Sequence, residues 1–524
     1  MNRSVSPVLI GVLLVAASAA VLLSVFAAGF MSSQADEMVM AWAAKRVTAG
    51  DVPYRDFFCI LPPLMIQGLA GFFRFAGASL GAMRLLMVAW LVGTTILLYH
   101  LFLKFKVPVL WSAAAAFQLP AFILPFWPIS SHHWFALGLG LAALCAVVGP
   151  EATSHKFRWF VSGLFACLAG LCLQTDGFLF TLLVLLYLPF GQGMKCTLRT
   201  SAYFLLGVLV PLSVAALFLL STNALGAAWE SLIVWPMRYY KQPGGFNDVN
   251  PLPALLEALR SRVPEKLADA GNWDLMTFLF GLALPFAGLL SLAFSPAWLY
   301  PGSSPSSTYL RHLLRFLLVL WFYLSGRPDW VHLVFYLPLF LICAVTEINW
   351  RRETWRPTAA KALVLLLTGW ALVRWPVHWI QDPPLVSRVL QADARFTRQA
   401  PVGILKALPD VTRGRLQVVY LPYGSSLYFY WAPDPPPVDW VMAPSLKHDG
   451  PEQFEKLASF LKEHAVPYVL IREDQADKFL YDPSPVSDVL QRSYKPERST
   501  PWGILFRRLS YTPAERPLPR GKSP

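Results

Sequence analysis

Residues 7–30, PVLIGVLLVAASAAVLLSVFAAGF, form an unbroken apolar run of about 24 residues, enough to cross a bilayer as a helix. A single arginine, Arg3, precedes it, and the run is longer than the apolar core of a usual signal peptide, so it reads as an uncleaved first membrane helix. The chain continues in the same manner. Further apolar runs lie near 81–103, 108–128, 133–149, 158–174, 177–191, 200–222, 274–297, 313–325, 333–348 and 362–379. Together they predict an α-helical polytopic membrane protein, with about eleven transmembrane helices over residues 1–379.

Composition agrees, since 56% of the 524 residues are hydrophobic and only 14% are charged, which excludes a string of ordinary soluble domains. The net charge of +13 is explained by topology. With the N-terminus cytoplasmic, the inner connections carry Lys104, Lys106, Lys156, Arg158, Lys195, Arg199, Arg311, Arg315, Arg351, Arg352, Arg356 and Lys361. The short outer connections at 128–132, 174–176 and 326–332 carry Arg327 alone among lysines and arginines. This asymmetry predicts a multi-pass protein of the cytoplasmic (inner) membrane, whose partner is the lipid bilayer and not nucleic acid. Of the six cysteines, Cys145, Cys167, Cys172 and Cys343 lie in apolar runs, Cys196 in an inner loop and Cys59 in an outer loop. They form neither a disulfide framework nor a CxxC metal site.

After residue 379 the hydropathy falls and a soluble pattern begins: strand-like LQVVYLP, a helix over 451–464, strand-like PYVLI and strand-like GILFRRL. Residues 380–510 are therefore expected to form a small extracytoplasmic α/β domain, and the Pro-rich, charged residues 511–524 a disordered tail.

Two outer loops are long, residues 31–80 and 222–273, and long loops in a compact membrane protein carry function. The first begins with Asp36 and Glu37, adjacent carboxylates close to the membrane surface. A carboxylate there is suited to accept a proton or hold a sugar, and equally to start the helix predicted over AWAAK. A second cluster, Tyr54, Arg55 and Asp56, precedes the rigid Pro62–Pro63 pair. Asp56 either faces a pocket or pairs with Arg55 at the surface.

One transmembrane helix, an acidic DE pair, a GxxPYRDF stretch and a PPL before the next span make an order that resembles the GT-C superfamily of membrane glycosyltransferases. The closest likeness is to the branch containing protein O-mannosyltransferases and the lipid A aminoarabinose transferase. It covers roughly residues 5–350, its specific part being residues 31–64. The resemblance implies a sugar donor linked to polyprenyl phosphate, an acceptor lipid, glycan or protein outside the cytoplasmic membrane, and inversion at the anomeric carbon. It makes Asp36 the expected catalytic base, Glu37 its acidic neighbour and Asp56 part of the second catalytic element.

The departing lipid phosphate is an anion, and cations should face it. Candidates at outer helix ends are Arg55, His132, His133, Arg327 and His332, with Tyr54, Asp176 and Asp329 beside them. For His132 and His133 the other reading is an interfacial belt position beside Trp134, and for Arg327 and Asp329 a local ion pair. The chain departs from the family pattern at ISSHHW, where some relatives carry a second aspartate, and at Gln174–Gly177, where the aminoarabinose branch has a lysine before glycine. Asp176 either compensates for the missing acid or caps the following helix. A divalent metal, Mg or Mn, would find oxygen ligands in Asp36 and Glu37. The rival readings are a transporter or flippase of a lipid-linked or small solute and a non-catalytic assembly protein. The charged candidates gather at one surface and not at the midplane, which favours the enzyme.

Overall fold

The computed structural model describes residues 6–28, 36–124, 128–148, 156–187, 194–239, 313–314, 317–318, 334–347, 385–391, 418–421, 450–463, 465–471, 476–481, 483–500 and 503–510. The chain divides into two compact units, Met1–Phe396 and Thr397–Pro524. The expected tail, the second long outer loop beyond 239 and the expected spans at 274–297 and 362–379 lie outside the described residues.

The first unit is helical. Its first nine described α-helices are α1 (Pro7–Ala28), α2 (Asp36–Thr48), α3 (Pro63–Ala76), α4 (Leu80–Lys104), α5 (Val109–Gln118), α6 (His132–Val147), α7 (Lys156–Cys172), α8 (Gln174–Tyr187) and α9 (Met194–Ser221), and shorter ones follow at Leu225–Trp229, Trp235–Tyr239, Leu337–Glu347 and Leu385–Leu390. Among the described residues three helices are long and apolar enough to cross a membrane: Pro7–Ala27, Leu80–Lys104 and Cys196–Ser221. Shorter apolar helices run over Val109–Ala121, His132–Val147 and Gln174–Tyr187. A π-helical turn over Leu119–Ile123 follows α5 where Pro120 lacks the amide hydrogen that an α-helix would use.

Within the expected first outer loop, Asp36–Thr48 and Pro63–Ala76 fold into α2 and α3. The Pro62–Pro63 pair does not merely stop a helix: Pro62 is the N-cap of α3 and Pro63 its first residue, the position where a missing N–H costs nothing. Serine caps set the next starts. The Ser79 hydroxyl accepts from the Ala82 amide at 3.0 Å to open α4, and Ser131 accepts from His133 at 3.4 Å to open α6.

Residues of α1, α4, α5, α6, α7 and α8 build one continuous apolar core, with Phe26, Trp134, Trp159 and Phe180 fully buried. Glycine lets α7 and α9 touch backbone to backbone. A Cβ at Gly163 would lie 2.0 Å from the Phe204 carbonyl oxygen, and one at Gly207 would lie 2.0 Å from that of Phe160. Gly170 and Gly177 do the same for α7 and α8, where a Gly177 Cβ would come within 2.1 Å of the Gly170 Cα.

The second unit carries a four-stranded sheet ordered β1-β2-β4-β3, with β1 Val418–Leu421, β2 Tyr468–Ile471, β3 Tyr494–Thr500 and β4 Gly503–Arg508. β1 and β2 are parallel, joined through a crossover that includes the helix Gly450–Glu463, while β4 runs antiparallel to β2 and β3. β2 is central and wholly buried, as YVLI requires. Pro496 is tolerated because β3 is an edge strand, and the register shifts beside it.

Gly207→Val forces a side chain against a carbonyl that cannot move aside, at a cost of roughly 1–3 kcal/mol. Thermal unfolding of the purified chain in detergent should therefore begin at lower temperature for this variant and not for Gly93→Ala, since Gly93 has open space around its Cα.

Candidate functional site

Arg84, five residues into α4, sits in an otherwise apolar helix with its side chain 2% exposed, and such a buried cation needs a partner. The partner is Glu37, the second residue of α2 and 4% exposed. The guanidinium grips it in two places, Nε to Oε1 at 3.1 Å and Nη2 to Oε2 at 2.8 Å. Arg84 Nη1 also reaches the Phe26 carbonyl at 3.5 Å, near the C-terminal end of α1. Glu37 Oε1 in turn accepts from the Ser130 amide at 3.2 Å, just before α6. One ion pair thus ties together α1, α2, α4 and the start of α6.

That start carries the histidines. The rings of His132 and His133 lie 4.4 Å apart, both side chains are buried, and His133 stacks on Phe335 at 4.2 Å. The next residue, Tyr336, donates its hydroxyl to Asp176 Oδ1 at 2.6 Å in the first turn of α8. Glu37, His132, His133 and Asp176 are therefore connected through these contacts together with the short backbone segments 130–133 and 335–336. Asp36 heads α2 immediately before Glu37, so its backbone belongs to the same place.

Tyr54, Arg55 and Asp56 form a separate turn. Asp56 accepts from Arg55 through both oxygens at 2.8 Å and from the Val52 amide at 2.8 Å. Arg55 also reaches the Thr222 carbonyl at 3.1 Å. Tyr54 has φ of 71°, an uncommon backbone for a side-chain-bearing residue, held by its hydroxyl donating to Leu61 at 2.7 Å. From α2, Arg46 fixes this turn by pairing with Asp51 at 2.6 Å, donating to the Asp56 carbonyl at 3.1 Å and lying 4.6 Å over the Phe57 ring. Arg55, first through its hydrogen bonds, holds the Asp56 carboxyl below its ordinary pKa. Burial pushes the Tyr54 hydroxyl well up and the Cys59 thiol to about 12, so neither ionises near neutrality.

Arg327, Asp329 and His332 lie outside the described residues, as does the Asp36 side chain. Sequence reasoning missed Arg84 and Tyr336. A lone arginine inside an apolar run was the available signal for the first, because lipid or core tolerates it only beside an acid. For Mg or Mn at Asp36 and Glu37 the fit is poor, since the Glu37 oxygens are already taken by Arg84 and Ser130. Among the described residues no three His, Cys, Asp or Glu side chains gather as a metal set.

The chain matches no known family profile and no curated protein.

Two outcomes follow from this geometry. Arg84→Gln strands the buried Glu37 carboxylate and should cost about 3–5 kcal/mol, whereas Arg84→Met with Glu37→Met should recover most of it, as measured by denaturation in detergent. Because the folded Asp56 carboxyl titrates below its unfolded value near about 4, its contribution is present above that value and lost as pH falls through the lower one. Amide exchange at Val52 should accelerate only under that acid condition, and in Asp56→Asn the acid dependence should disappear.

Proposed function

We propose that this chain is a polytopic GT-C-type glycosyltransferase, moving a sugar from a polyprenyl-phosphate-linked donor to a lipid, glycan or protein acceptor on the outer face of the cytoplasmic membrane. The observation that carries the reading is the joining of the first turn of α2 to the start of α6 through Glu37 and Arg84. That junction sets the expected base, Asp36, on a helix anchored beside His132 and His133. The N-terminus is cytoplasmic in this reading, the spans number about eleven, and this end of the bundle faces outward.

In the proposed reaction the Asp36 carboxylate takes the proton of the acceptor hydroxyl as its oxygen bonds to the anomeric carbon. The bond from that carbon to the phosphate oxygen breaks from the opposite face, its electron pair leaving with the lipid phosphate, and the configuration inverts. His132 and His133 are assigned to meet the growing phosphate charge, with Arg327 and His332 given the same task. Glu37 is a positioning residue, because its oxygens are spent on Arg84 and Ser130. Asp176, fixed by Tyr336, supplies a second acid at this end for sugar hydroxyls. The Arg55–Asp56 turn shapes the rim of the site through its hold on Thr222. The soluble α/β unit is assigned to the acceptor.

The test compares wild type with Asp36→Asn, using undecaprenyl phosphate as binding probe and labelled lipid-linked sugars from a membrane extract as donors. Binding by both proteins with transfer by the wild type alone is the expected result. If neither binds the probe and the wild type moves a solute across vesicles instead, the chain is a transporter or flippase.

A further inference from the structure

The helix end opposite Arg84 has a different chemistry. Between Arg84 and Lys104, α4 rises about 30 Å, so its last residue marks the far end of the bundle. The Lys104 ammonium donates to the Cys145 carbonyl at the end of α6 and lies close enough to Arg158 of α7 to feel its charge. Two residues earlier in sequence, Lys156 sits 5.7 Å over the Tyr203 ring of α9, and Arg199, about one helical turn before Tyr203, adds its charge beside the same side chain. The glycine contacts of α7 with α9 force this proximity, since Gly163 meets Phe204, the residue next to Tyr203.

The described acidic side chains of this unit, Glu37, Asp51, Asp56, Asp176 and Glu230, belong to the other end, whose turns hold Thr222 and Trp235 against Arg55 and Phe58. Cations brought together across three helices repel one another and favour an anionic occupant. The flank beside them is apolar: Phe157, Leu198, Leu205 and Leu209 are exposed. A phosphate at the polar end with acyl chains along that flank satisfies both features.

We propose that Lys156, Arg199 and Tyr203 bind the phosphate headgroup of an anionic membrane phospholipid, with Lys104 and Arg158 flanking it. The proposal goes beyond sugar transfer and rests only on the membrane-spanning part of the reading above. Lys156 and Arg199 supply charge-assisted donors, and the Tyr203 hydroxyl can turn its hydrogen toward a phosphate oxygen.

The experiment titrates the full chain in detergent with phosphatidylglycerol or phosphatidylcholine and counts retained lipid by native mass spectrometry. Preferential retention of phosphatidylglycerol is expected, falling about fivefold for each cation removed in Lys156→Gln and Arg199→Gln. Lys106→Gln, which removes the same charge near the same end, should retain it. Tyr203→Phe keeps both cations and the ring and should also weaken retention, which covers the case in which a charge variant fails to fold. Equal retention of the two lipids overturns the proposal, and so does an equal loss in Lys106→Gln, the mark of diffuse attraction. Displacement of phosphatidylglycerol by millimolar inorganic phosphate would assign the cations to a free anion and overturn the lipid site. No readout uses sugar transfer, so failure of the transferase reading leaves this test intact.

Discussion

The buried pair of Arg84 and Glu37 is the constraint around which the site end is arranged. Removing two charges from water costs several kcal/mol each, and that cost is offset only when the partners and their spare hydrogen-bonding groups are all satisfied. Here they are held by a two-point grip at 3.1 and 2.8 Å, with Phe26 and Ser130 completing the set. Because Arg84 and Glu37 come from different helices, α4 and α2 cannot slide apart without leaving a charge stranded. The position of α2, and with it Asp36, therefore depends on a residue of α4 that touches no proposed substrate.

The two ends of the bundle differ in how their charges are managed. At the site end, acids and bases are paired within the protein, as in Arg84 with Glu37, Arg46 with Asp51 and Arg55 with Asp56. At the other end, among the described side chains, cations gather around Tyr203. Short glycine contacts make both arrangements possible, because α7 can lie against α8 on one side and α9 on the other without side chains intervening. A rigid scaffold of this sort suits a reaction in which a lipid-borne donor must be held still while its sugar is attacked.

The helices were legible in the sequence because lipid-length apolar runs leave a strong signal. The expected runs at 81–103, 133–149, 158–174 and 200–222 correspond to α4, α6, α7 and α9. The strands VVYL, YVLI and GILFRR were likewise visible as short apolar runs between turns, whereas β3, reading YKPERST, was not, since an edge strand with one solvated face needs no hydrophobic pattern. In the site, Glu37 and Asp176 drew attention by the cost of an acid near a membrane, and His132 and His133 as cations at a helix end. What they bond to was hidden, because Arg84 and Tyr336 are distant in sequence and meet them only through helix packing. The Arg55–Asp56 pair was readable for the opposite reason, its partners being adjacent.

Amide hydrogen exchange at Ser130 tests the central claim most directly. If Glu37 holds the segment before α6, this amide is strongly protected in the wild type, and Glu37→Gln exposes it together with the first turn of α2. Unchanged protection of Ser130 in that variant would contradict the account, since the ion pair would then be joining fewer elements than the structure assigns to it.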